Sequence, residues 1–209
     1  MTIMKLVFDG SIGCGKSSVL KLITENNPSG LNVYNEPLFD WTKWLELFYS
    51  DMKKYSFGFQ MRVLKSHLDK KDISNGIFER SPLSCQKVFG KLLYEDNMIN
   101  ELEWTLTNEF NNDYGWTPDV VVYLKCDPEI CYQRIKQRNR LNEKEIELDY
   151  LKRLHNKYEE LYTNCENVKV ITIDASKSLE EVYDEVSDKV IRNTCFSYHK
   201  NNDGSLKSI

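Results

Sequence analysis

Short runs of β-branched and other apolar residues recur at positions 4–8, 32–34, 77–78, 120–124 and 168–173, and the best of them are nearly continuous. A strand with one wet face alternates apolar and polar residues, whereas a strand covered on both faces does not. The runs therefore predict buried parallel strands. Between them, apolar residues at helical spacing predict helices over 18–24, 41–52, 57–68, 83–94, 102–110, 128–138 and 146–162. Asp127-Pro128 supplies an N-cap followed by proline at the first helical position. Strands alternating with helices predict an α/β fold around a parallel sheet. No repeat and no Pro/Gly/Ser-rich linker interrupts the pattern, so residues 1–195 read as one domain and the polar stretch 196–209 as a flexible tail.

Composition narrows the partners. The 28 basic and 32 acidic residues leave a formal charge of −4, and the mean hydropathy is −0.54. No global positive field draws the chain to a nucleic acid polymer or an anionic membrane, so any bound phosphate must meet a local site. No run approaches the roughly 18 apolar residues of a membrane span, and no Arg-rich or cleavable leader is apparent, so a soluble cytoplasmic protein is expected. Cysteines 14, 85, 126, 131, 165 and 195 form no C-x-x-C pair, and histidines 67, 155 and 199 do not fall at ligand spacing with them. A zinc site or disulfide framework is not expected.

The strongest local signal is Gly10-Ser11-Ile12-Gly13-Cys14-Gly15-Lys16-Ser17, followed by Ser18. It is a complete G-x-x-x-x-G-K-[ST] motif between a predicted strand and a predicted helix. Its glycines let the backbone curl so that successive N–H groups face a phosphate, and the helix N-terminus adds its positive end. Lys16 brings a full charge to the β and γ phosphates of ATP, and the Ser17 hydroxyl suits Mg²⁺. Kinases, GTPase switches and motor ATPases share this loop. The guanine-reading N-K-x-D is missing, since Asn156-Lys157-Tyr158-Glu159 ends in Glu inside a predicted helix.

Two further segments leave the carboxyl edge of neighbouring strands: Glu36-Pro37 and Glu79-Arg80-Ser81-Pro82. Ligands bind at that edge in open α/β sheets. A carboxylate there can take a proton from an attacking hydroxyl, and an arginine can neutralise a transferring phosphoryl group. Taken alone, Glu79-Arg80 reads equally well as a surface ion pair, and the basic run 134–140 as a solvated face. Aromatic residues Trp41, Trp44, Phe48, Tyr49, Tyr55, Phe57 and Phe59 read as core, or together as the wall of a flat-ring pocket.

Taken together, Glu36-Pro-Leu-Phe-Asp-Trp41, Gln60, Glu79-Arg80-Ser81 and Arg138-Asn-Arg140 resemble, in order and spacing, the deoxynucleoside kinase family over residues 4–192. The resemblance implies a P-loop kinase fold with a five-stranded parallel sheet and an arginine-rich lid, ATP as donor, and Mg²⁺. It implies Glu36 as base on the nucleoside 5′-hydroxyl, Arg80 as its partner near the phosphates, and Glu79 with Ser17 at the metal. Trp41 and Phe89 resemble the aromatics against sugar and base, and Gln60 the amide that reads the base edge with donor and acceptor side by side. Tyr49 and Glu143 resemble the pair that holds the 3′-hydroxyl, while Arg134, Arg138 and Arg140 lie where the lid covers the ATP phosphates. Homodimerisation is implied by resemblance alone.

Where purine and deoxycytidine members carry an aspartate four residues after the serine of Glu-Arg-Ser, this chain has Cys85. Where they carry an arginine seven residues after the glutamine, it has His67. Lacking that carboxylate to accept a base amino group, the site is similar to pyrimidine-type members, with thymidine favoured and deoxycytidine and deoxyuridine as further candidates. His67 reads either as packing or as a second base contact. The expected function is phosphorylation of a deoxynucleoside 5′-hydroxyl in nucleotide salvage. A nucleoside monophosphate kinase of thymidylate type and a non-catalytic nucleotide-binding module are the alternatives.

Overall fold

The computed structural model describes residues 4–26, 30–140 and 143–192. Strands β1 (Met4–Asp9), β2 (Val33–Tyr34), β3 (Asn75–Glu79), β4 (Val120–Lys125) and β5 (Lys169–Asp174) pair in the order β2-β3-β1-β4-β5. All pairings are parallel, with Leu6 of β1 opposite Ile77 on one side and Val120 on the other. Central β1 is dry: Leu6, Val7 and Phe8 are buried in one core with Phe78, Val121 and Val122. Each such side chain contributes about 1.5–3 kcal/mol by leaving water. Strand β3 is longer than its apolar run because pairing with β1 includes Asn75, Gly76 and Glu79, which no hydrophobic pattern flags. That pairing brings Glu79 to the strand's carboxyl end.

The α-helices among the described residues are α1 (Lys16–Asn26), α2 (Leu38–Ser50), α3 (Met52–Leu68), α4 (Pro82–Ser84), α5 (Lys91–Glu95), α6 (Glu101–Tyr114), α7 (Pro128–Arg138), α8 (Leu148–Thr163) and α9 (Leu179–Val186). The helix expected over 83–94 is not uniform, since a π-helical segment, Cys85–Gly90, joins α4 to α5. Such wide turns concentrate at functional sites. Helix α3 starts five residues earlier than its apolar spacing suggests, because Asp51 caps it by accepting from the Lys54 N–H at 3.1 Å. Asp127 caps α7 as its sequence indicates, accepting from the Glu129 N–H at 2.8 Å. Helix α9 was not anticipated, although Ser178-Leu-Glu-Glu181 is a capping box with both reciprocal bonds formed. Helix α2 packs on α3, α7 on α8, and α1 on α9. The tail 196–209 lies outside the described residues.

Candidate active site

The turn from β1 into α1 is built on glycines. Gly10 and Gly13 have φ of +141° and +85°. A Cβ on Gly10 would stand 2.6 Å from the Leu124 carbonyl oxygen, and one on Gly13 would stand 2.6 Å from that of Cys131. Both positions therefore need glycine for backbone angle and for space. Lys16 is buried, its ammonium donating to the Gly10 carbonyl at 3.0 Å and the Ser11 carbonyl at 2.8 Å. Ile12 and Gly13 line the adjoining cavity, Cys14 is buried, and Ser18 donates its N–H to the Gly15 carbonyl at 3.1 Å.

A cavity of about 530 Å³ runs from this loop to α2 and α3. That is ample for a drug-sized ligand. At its centre Arg80 Nη1 donates to Glu36 Oε2 at 2.5 Å, both side chains being nearly dry. Arg80 also donates from Nη2 to the Gly10 carbonyl at 3.4 Å and lies over the Phe89 ring at 4.9 Å. Its φ of +58° is left-handed, unusual for a long side chain, and strain there costs about 1–3 kcal/mol. Burial opposes its charge, but Glu36, Tyr158 and Asp9 outweigh this and hold the guanidinium protonated. Glu79 accepts from the Ser17 hydroxyl at 2.7 Å and, through its other oxygen, from the Glu36 N–H at 3.3 Å. A hydroxyl beside a carboxylate is a donor set that fits a hard divalent cation.

At the far end of the cavity Trp41 is buried, edge-on to Phe59 and His67 at 6.5 and 6.4 Å, with no partner for its Nε1 among the described residues. Gln60 Nε2 donates to the Cys85 carbonyl at 2.7 Å and reaches its sulfur at 3.3 Å. The amide nitrogen is thus engaged by Cys85, and the amide oxygen is what remains for a base, so the side-by-side donor and acceptor expected of Gln60 are not both on offer. Burial pushes the Cys85 thiol up to about 12 and drops His67 to about 3, so both are neutral. Among the described residues, neither nitrogen of His67 has a partner.

Tyr49 lines the cavity, and burial, then Tyr150 and Glu143, raise its phenol pKa well above the usual value. Glu143 holds Arg138 through two hydrogen bonds of 2.6 Å and stands 3.6 Å from Arg140, and all three line the cavity. Arg134 is not brought there. It donates to the carbonyls of Ala175 at 2.8 Å and Lys177 at 3.0 Å, and reaches that of Cys14 at 3.5 Å, tying the glycine turn to the β5–α9 connection. Sequence reasoning passed over Asp9, Tyr150, Tyr158 and Tyr162. Asp9 sits next to Gly10, and the tyrosines at 158 and 162 share a helix face, a spacing that reads as ordinary core.

A sequence profile described as deoxynucleoside kinase matches residues 6–196. The chain belongs to the deoxynucleoside kinase family. As a member it is a phosphotransferase acting on nucleosides. It is 36% identical over 199 residues to the thymidine kinase of Ictalurid herpesvirus 1 (strain Auburn), covering 90% of this chain and 86% of that protein. It is 29% identical over 237 residues to the deoxycytidine kinase of Homo sapiens, covering 90% of each. The solved structure of deoxyadenosine kinase from M. mycoides, with dCMP and dCDP bound, superposes with a TM-score of 0.81 at 26% identity, over 91% of this chain and 100% of that one. Their names carry three different bases, so membership of the family leaves the base open. Among the described residues of this kinase, no helix is long and apolar enough to cross a membrane.

Proposed function

We propose that the kinase transfers the γ-phosphoryl group of ATP to the 5′-hydroxyl of a pyrimidine deoxynucleoside, thymidine first, as a step of nucleotide salvage. The observation that carries this reading is the Glu36–Arg80 pair, 2.5 Å apart in the cavity that also reaches Lys16 and Ser17. Glu36 takes the proton of the 5′-hydroxyl as that oxygen attacks the γ-phosphorus, and the bond to the bridging oxygen of ADP breaks. The ion pair uses Oε2, so we assign the proton to Oε1. Arg80 and Lys16 offset the charge on the phosphoryl oxygens, and the loop's N–H groups position them. Ser17 and Glu79 would hold Mg²⁺, which would offset phosphate charge when bound. Arg138 and Arg140 serve as the lid, and we retain Arg134 as its anchor to the loop.

Trp41 and Phe89 hold sugar and base, and Tyr49 with Glu143 holds the 3′-hydroxyl. Neutral Cys85 offers no carboxylate to a base amino group. The free oxygen of Gln60 accepts a ring N–H, which thymine has at N3 and cytosine lacks. A carboxylate facing the acceptor oxygen would repel a nucleoside monophosphate, which argues against a thymidylate kinase. Free thiols at the described cysteines suit a reducing cytoplasm.

We also read the kinase as a homodimer, because α6 presents Leu102, Leu106, Phe110 and Tyr114 at four-residue spacing, all exposed. Assaying the four deoxynucleosides and thymidine monophosphate with Mg-ATP tests the reading. The highest kcat/KM is expected for thymidine. A lead for deoxyguanosine would overturn the base assignment, and turnover of the monophosphate alone would overturn the acceptor.

A further inference from the structure

Asp9 closes β1 directly before Gly10 and is fully buried. Its Oδ1 accepts from the Gly10 N–H at 2.8 Å and from the Tyr158 hydroxyl at 2.9 Å, and its Oδ2 accepts from the Tyr162 hydroxyl at 2.7 Å. Arg80 Nε stands 3.9 Å from Oδ1 and donates to the Tyr158 oxygen at 3.3 Å. The Tyr158 hydroxyl is therefore a relay that gives its hydrogen to Asp9 and receives one from Arg80. Burial, then the Asp9 charge, keep that phenol protonated far beyond any working pH, so the direction of the relay does not change.

A dry carboxylate is tolerated only when its oxygens are satisfied, and α8 supplies two tyrosine hydroxyls to one aspartate. Arg80 stands to gain from the arrangement. Its terminal nitrogens face Glu36 and the Gly10 carbonyl, while Nε faces away from both, toward Tyr158 and Asp9. The Phe89 ring lies 4.9 Å from the guanidinium carbon and offers it no hydrogen-bond acceptor in its plane. Loss of the Nε contact would let the fork turn about its stem, in a backbone conformation that only surrounding contacts can hold.

We propose that Asp9, acting through the Tyr158 hydroxyl, positions Arg80 for phosphoryl transfer, so that both residues serve the reaction without touching substrate. The proposal rests on the reading of Arg80 given under the proposed function. It adds an element of the site that lies outside the cavity, on the helix that follows the lid.

The test is a variant cycle read in kcat and KM with thymidine and Mg-ATP. Tyr158→Phe keeps the ring against Tyr123 and Tyr162 and removes one oxygen. It should lower kcat by about tenfold or more, since small displacements of a charged group are costly in transfer, with both KM values within about twofold. Tyr123→Phe loses a comparable hydrogen bond, to Glu159 at 2.8 Å, and should leave kcat unchanged. In an Arg80→Lys background, Tyr158→Phe should change kcat by less than about twofold, because the group it positions is gone.

An unchanged kcat in Tyr158→Phe, or an undiminished loss in the Arg80→Lys background, overturns the proposal. If Tyr158→Phe does not fold, Asp9→Asn takes its place with the same expectations, and failure of both to fold beside a folded Tyr123→Phe would make the cluster structural and end the proposal. A wild-type protein inactive on every deoxynucleoside would sink the kinase reading and this inference together. An active wild type with an indifferent Tyr158→Phe sinks this inference alone.

Discussion

Arg80 and Glu36 form an ion pair of 2.5 Å in which the two side chains are 9% and 6% exposed. Removing one partner from so dry a pair strands the other charge, at a cost of roughly 3–5 kcal/mol. Variants that keep the shape and an acceptor for Arg80 are therefore the informative ones.

Glu36→Gln retains an oxygen for Arg80 but cannot take a proton. Turnover should fall roughly 10²- to 10⁴-fold, the usual range for loss of a general base, with ATP affinity little changed. Single-turnover kinetics beside a nucleotide titration separate the two quantities. A variant as fast as the wild type would remove Glu36 from the base role.

Tyr49→Phe removes the hydroxyl that we assign to the sugar 3′ position. Loss of one hydrogen bond corresponds to about a five- to tenfold rise in KM for thymidine. The same substitution should narrow the difference between thymidine and 3′-deoxythymidine, which lacks that hydroxyl. An equal effect on both nucleosides would show that Tyr49 acts by packing.

His67 carries a pH dependence of stability. Burial holds its imidazole neutral and lowers its pKa from 6.5 to about 3. Between those values the unfolded chain binds the extra proton, so the contribution is complete above pH 6.5 and declines as pH falls toward 3, by at most ~1.4 kcal/mol per unit. His67→Leu should flatten that part of the profile by one proton's worth, as followed by urea unfolding at several pH values. An identical slope would assign the acid sensitivity to other groups.

Cys85→Asp alone places a carboxylate in a dry site with no cation at position 67, and should lower both stability and activity. Combined with His67→Arg it recreates the acidic-basic pair of the deoxycytidine and purine members. The ratio of kcat/KM for deoxycytidine over thymidine should then rise by about tenfold or more, since a site built to bond a base group discriminates strongly. A ratio that does not move would place base selection elsewhere in the cavity.

Phe110→Asp puts a charge in the middle of the α6 stripe. Sedimentation should show a dimer for the wild type and a monomer for the variant, with the fold retained by circular dichroism. A wild-type monomer at micromolar concentration would dismiss the homodimer.

How far the chain could be read without coordinates follows from the range of each interaction. The strand runs, the Asp127 cap and the glycine turn are local, set by backbone angle and by apolar residues a few positions apart, and the five parallel strands stand where those patterns put them, while α9, the early start of α3 and the π-helical segment do not follow from them. Glu36, Glu79 and Arg80 could be placed at one sheet edge because each ends or follows a strand. Long-range packing decided the rest. Gln60 gives its nitrogen to Cys85, twenty-five residues away, because the π-helical segment brings that carbonyl to α3. Arg134 turns to the carbonyls of Ala175 and Lys177, more than forty residues away, and so leaves the cavity that Arg138 lines. Asp9 meets Tyr158 and Tyr162 across about 150 residues of chain. Such contacts leave no periodic trace in a sequence, because a buried charge is satisfied by whatever donors the fold delivers to it, at any separation along the chain.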